Sequence, residues 1–136
     1  MITLRRVKPV AELTAPPETD ELFHEIKQTF RITGVPLNFR IYAGQGRFLQ
    51  RLWDAARPNV ETRAFEEGAD RLREEIVSAA DGMPRLCALA KAQLGESQAH
   101  QAQSALALYL YMNPKLLLFE SALALALERE GRAREW

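Results

Sequence analysis

The residue types that could do chemistry are few and scattered. His24 and His100 stand far apart on segments with helical spacing, Cys87 sits beside Leu86 and Leu89, and Glu66, Glu67, Glu74 and Glu75 alternate with arginines. Each has a plain structural use: the histidines as surface or half-buried residues, the thiol as an inert core group, the glutamates as the wet face of a helix. No phosphate-cradling glycine loop, dinucleotide fingerprint, nucleophile elbow or helical pair of metal-binding histidines occurs in the chain. A single cysteine excludes an internal disulfide and a cysteine-cluster metal site, and neither metal nor cofactor is expected. What remains is amide chemistry. Asn113, followed by Pro114, lies inside the apolar run from Ser104 to Leu127, and Asn38 follows Gly34-Val35-Pro36. Asn113 reads either as an amide satisfying carbonyls at a helix break or as a hydrogen-bonding group in a cavity lined by Tyr109, Tyr111 and Phe119. Asn38 has the same pair of readings, a helix cap or a pocket group beside Phe39.

Helices must hold these amides. The run around Asn113 contains only two charges, Lys115 and Glu120, so it has little face to offer water and is expected to form the central helical layer. Proline removes a backbone donor and disfavours helix in the preceding residue, which predicts a break between two helices at Asn113-Pro114. Upstream, Pro9 and Pro16-Pro17 predict an extended arm over residues 1–18. A helix from about Thr19 follows, with Leu22, Phe23, Ile26 and Phe30 on one face, ended by Gly34-Val35-Pro36. A short helix carries Leu37, Phe39 and Ile41, and another runs from Arg47 to a stop at Pro58. Val60 to Ala80 is strongly amphipathic through Phe65, Ala69, Leu72 and Ile76. Pro84 opens a further helix that buries Leu86, Leu89, Ala90 and Leu94. No stretch alternates as a strand would. The expectation is an all-α domain of roughly seven helices over residues 19–131, with a tail at 132–136.

At 136 residues the chain suffices for one domain with its own core. Its 18 basic and 18 acidic residues are interspersed, which argues against a nucleic acid or an anionic membrane as partner. The segment Leu116 to Leu127 is too short to span a bilayer and Met1 to Leu13 lacks a long apolar core, so a soluble, cytosolic (cytoplasmic) chain is expected.

One string of residues resembles a known family. It consists of Leu22 to Phe30, Gly34-Val35-Pro36, Phe39-Arg40, Phe48-Leu49, Leu52-Trp53 and Arg57-Pro58. Far downstream it resumes in Tyr109-Leu110-Tyr111-Met112-Asn113-Pro114-Lys115-Leu116-Leu117. Over about residues 20 to 127 it is similar to one repeat of the group I 2-haloacid dehalogenases. The resemblance implies an all-helical fold related to the alkylhydroperoxidase D group, with an active site between two such repeats. It implies hydrolysis of the carbon–halogen bond by a water that an aspartate activates and an asparagine assists, with no covalent enzyme ester. Asn113 matches that asparagine, and the aspartate's place falls at Asn38 or a neighbour. Arg40, Phe39, Tyr109 and Tyr111 are then candidates for holding a small carboxylate substrate.

A chain with one repeat implies a homodimer that completes the site. Residues 34–53 contain neither Asp nor Glu, and an amide can position water but cannot serve as its base at neutral pH. Peroxidase chemistry of the alkylhydroperoxidase D kind would need two cysteines. The expectation is a pocket of the dehalogenase type without its usual carboxylate. The alternatives are a non-catalytic small-ligand binder and a helical dimerisation protein.

Overall fold

Pro17 stands at the first turn of helix α1 (Pro17–Phe30), where a missing N–H costs nothing and the fixed φ suits the helix. The computed structural model describes residues 8–85 and 92–134, the side chains of 132–134 excepted. Five α-helices have both ends within those residues: α1, α2 (Leu37–Ala43), α3 (Phe48–Val60), α4 (Arg63–Asp81) and α5 (Glu96–Arg134). The chain is all-helical as expected, with five such helices rather than seven. The helix expected after Pro84, with Leu86, Cys87, Leu89 and Ala90, lies largely outside the described residues.

The chain divides into two compact units, Met1–Thr62 and Arg63–Trp136. In the first, Phe23, Ile26 and Phe30 of α1 are fully buried with Phe39 of α2 and Leu49 and Trp53 of α3. Its centre is aromatic: Phe30 lies 5.5 Å from Phe39 and 5.9 Å from Trp53 between ring centres, and Phe39 meets Trp53 edge-on at 6.4 Å. Offset and edge-on rings of this kind add roughly 1 kcal/mol per pair beyond area burial. Glu25 ties α1 to α3 by accepting hydrogen bonds from the Trp53 indole N–H (3.2 Å) and from Arg57 (3.1 Å). Helix α1 ends earlier than Gly34: Arg31 takes the left-handed cap at φ 59°, and its N–H returns to the carbonyls of Gln28 and Lys27. Pro58 does not stop α3, which runs on to Val60. The carbonyl it strips belongs to exposed Asp54, where water can serve, and buried Val60 anchors the last turn.

Residues 8–14 form a strap across this unit, with a short 3-10 turn at Glu12–Thr14. Val10 donates its N–H to the Arg40 carbonyl and accepts from Arg40 Nε, both at 2.9 Å. Glu12 accepts from Lys27 Nζ at 2.7 Å and from the Val35 N–H at 3.1 Å. The strap also presses on Gly44, where an added Cβ would lie 2.6 Å from the Lys8 carbonyl. The Lys27 ammonium and the Val35 amide hold the Glu12 carboxyl below its ordinary value of 4.5. Because the folded-state pKa is depressed, this contribution is complete above that ordinary value. It fades as pH falls below it and is lost once pH passes the folded pKa. Glu12→Gln should therefore cost about 1 kcal/mol at pH 7. In paired thermal melts the gap from the parent should narrow as pH is lowered below the ordinary glutamate value; a gap that stays constant throughout the acid range would show that the charge is not what holds the strap.

The second unit contradicts the expected break. Helix α5 is continuous over 39 residues with Pro114 in its interior. Nor is it the buried central layer: Leu106, Leu108, Leu110, Leu117, Leu125 and Leu127 are all roughly half exposed. Its segment Glu96–Gly131 is long and apolar enough to cross a membrane by length and composition alone, a property hidden when the run is divided at Pro114. Among the described residues, α5 packs chiefly on α4. Gly68 lets the Leu118 side chain approach to within 3.1 Å of where a Cβ would stand, and Phe65, Ala69 and Phe119 are buried.

Candidate functional site

A proline inside a helix deprives the carbonyl four residues earlier of its donor. In α5 that carbonyl belongs to Leu110. Arg73 of α4 fills the place, donating from Nε to the Leu110 carbonyl at 2.8 Å and from one terminal nitrogen to the Tyr111 carbonyl at 2.9 Å. Its other terminal nitrogen donates to Asp70 at 2.7 Å, which sets the guanidinium plane. The same guanidinium lies over the Tyr111 ring, 5.3 Å from its centre. The helix passes through Asn113-Pro114 unbroken, with the carbonyl that the proline strips supplied with a donor by Arg73.

One residue beyond the proline, Lys115 is fully buried. Its Nζ donates to Glu66 at 3.0 Å and to the Tyr111 hydroxyl at 2.9 Å, and lies 4.4 Å from the centre of that ring. A buried ammonium is tolerable only when paired and hydrogen-bonded, and here a carboxylate and a phenol do both. Glu66 is thus not simply part of the wet face of α4; its side chain is 32% exposed and turned toward α5. Reading the sequence missed Lys115, Glu66 and Arg73. A signal existed for the first, since Lys115 is the only basic residue between Ser104 and Leu127.

The helical repeat then sorts the expected site residues. Asn113 and Lys115 are two positions apart, about 200° around the helix, and so face opposite ways. Tyr111 and Lys115 share the inner face, four residues apart. Asn113 is exposed and shares the outer face with Leu106, Tyr109, Leu110 and Leu117, at spacings of three and four. Tyr109 and Tyr111, expected around one cavity, are on different faces of α5. Asn38, Phe39 and Arg40 stand together on α2 of the first unit. Phe39 is fully buried among Phe30, Tyr42 and Trp53, Arg40 is engaged with Val10, and Asn38 is half-buried on the first turn. A cavity of about 260 Å³ in that unit is lined by Glu18, Thr19, Leu22, Ala43, Gly46, Arg47, Leu49 and Gln50, and by none of these three. No group of three or more His, Cys, Asp or Glu able to hold a metal ion occurs among the described residues.

This arrangement of helices has close counterparts among solved proteins. A crystal structure of a D-2-haloacid dehalogenase mutant superposes on 86% of the chain with a TM-score of 0.78 at 23% identity, the chain covering 41% of that protein. The complex of a D-2-haloacid dehalogenase mutant with D-2-CPA gives a TM-score of 0.75 at 24% identity, with the same coverage. At such identities the likeness establishes the fold. The family follows from sequence: residues 34–134 match the model described as halocarboxylic acid dehydrogenase DehI, and the chain belongs to that family. A configuration-inverting 2-haloacid dehalogenase of Pseudomonas sp. (strain 113) is 31% identical over 104 residues, which are 75% of this chain and 34% of that enzyme. The chain thus spans about a third of that relative.

Proposed function

We propose that the chain forms half of a small-carboxylate pocket, completed by a second copy around a two-fold axis, in a hydrolase of the 2-haloacid dehalogenase type. The observation that supports this most is the outer stripe of α5. Leu106, Tyr109, Leu110 and Leu117 are uncovered, and a single amide, Asn113, stands in their midst. Apolar surface of this extent on a helix calls for a covering partner. A second α5 laid on the stripe removes its leucines from water and puts Asn113 into a dry setting. There an amide gains most from hydrogen bonds to a substrate carboxylate or to a water. Family membership and the absence of a cofactor motif favour a hydrolytic reaction on a carbon–halogen bond, with the alkylhydroperoxidase D-like arrangement and a cytoplasmic setting as parts of the same reading.

The absence of Asp and Glu from residues 34–53 favours a second reading, a pocket that binds a small acid without turning it over. Two measurements separate the readings. Halide release from each enantiomer of 2-chloropropionate, at high protein concentration, is expected under the first. Under the second, halide stays at background while the same acids raise the melting temperature, and Asn113→Leu abolishes the rise. A monomeric mass at micromolar concentration, with neither halide release nor a thermal shift, removes both.

A further inference from the structure

We propose that Arg73 is a positioning residue for Asn113, fixing where its amide points by replacing the helical hydrogen bond that Pro114 removes. The proposal rests on reading Asn113 as the site amide only for its functional meaning; its geometry stands apart. Proline inside a helix ordinarily bends or opens it, because the carbonyl four residues earlier loses its donor and is also crowded by the ring. Either response would rotate the outer face of α5 and with it Asn113, the residue immediately before the proline. Arg73 opposes this with two donors at fixed separation, reaching the Leu110 carbonyl at 2.8 Å and the Tyr111 carbonyl at 2.9 Å. A guanidinium suits the task because its N–H groups lie in one plane; an ammonium is a point donor. Asp70 and the Tyr111 ring hold that plane from two other sides. Arg73 itself acts from the inner side of α5, through the backbone.

The test is a double-mutant cycle on the full chain, comparing the parent with Arg73→Met, Pro114→Ala and the double variant. Replacing the proline by alanine restores an N–H to the Leu110 carbonyl and makes the arginine redundant there. Arg73→Met should lower the melting temperature in the parent, and in the Pro114→Ala background by less than about half as much. The side-chain amide resonances of Asn113, assigned by their loss in Asn113→Asp, should shift or broaden in Arg73→Met and return toward the parent positions in the double variant. Arg73→Lys, with one point donor, gives an intermediate effect and keeps the series readable if Arg73→Met does not fold. Equal thermal losses in both backgrounds, or Asn113 resonances that do not move, overturn the proposal. If the coupling appears but the parent neither releases halide nor responds to small acids, the positioning role holds and the functional reading of Asn113 is what fails.

Discussion

Glu66→Ala is expected to destabilise the protein by about 3 kcal/mol, whereas Lys115→Met should change stability by less than about 1 kcal/mol. The two partners of one ion pair are unequal because their surroundings are. Lys115 has a side-chain exposure of 1%, and Glu66 of 32%. Removing the carboxylate takes an anionic partner from an ammonium in the dry layer between α4 and α5, where the Tyr111 hydroxyl and ring are neutral neighbours. An ion pair broken on its wetter side thus leaves the more costly charge behind. Removing the lysine has the opposite consequence: a methionine of similar length fills the space, and the freed carboxylate turns to water. Urea unfolding of the two variants at pH 7 reads the difference directly. Equal losses would mean that Lys115 gains little from the carboxylate and that the phenol and ring suffice.

The second large effect belongs to the other unit. Trp53→Ala should cost about 3–5 kcal/mol, the range for truncating a fully buried aromatic. Trp53 is 1% exposed, touches both Phe30 and Phe39, and donates its indole N–H to Glu25. Trp53→Phe separates these contributions, since it retains most of the ring contact and loses the hydrogen bond. It should cost clearly less, about 1–2 kcal/mol. Circular dichroism melts of both variants measure the ratio. If the phenylalanine variant loses as much as the alanine variant, the indole hydrogen bond to Glu25 outweighs the aromatic packing in holding α3 to α1. Because α2 lies on this cluster through Phe39, the same loss would loosen the helix that carries Asn38.

Much of this molecule follows from local rules that act within a few residues. The apolar spacing of Leu22, Phe23, Ile26 and Phe30 marks the buried face of α1; on α4 the expected face is buried at Phe65 and Ala69 but only half-buried at Leu72 and exposed at Ile76. Pro36 and Gly44 bound α2 as the residue types require. The spaced apolar, Gly-Val-Pro and Asn-Pro features also point to the family that residues 34–134 match. These are matters of periodicity, capping and side-chain type, and a sequence carries them openly.

Other features were beyond such rules. Pro114 signals a break by the local criteria, and α5 nevertheless runs through it, with a guanidinium from another helix supplying the donor that the proline lacks. Lys115 reads as a solvated charge until Glu66, 49 residues away, is brought against it. The apolar run around Asn113 reads as a core layer, yet one side of it faces outward in the single chain. In each case the deciding partner is distant in sequence. The sequence by itself determined the helical class, the family and the amide at position 113. Only the tertiary structure decided that this amide stands on an unbroken helix, on the face opposite the buried lysine. Hydrogen-bond donors and buried charges are satisfied in space, whatever their order along the chain.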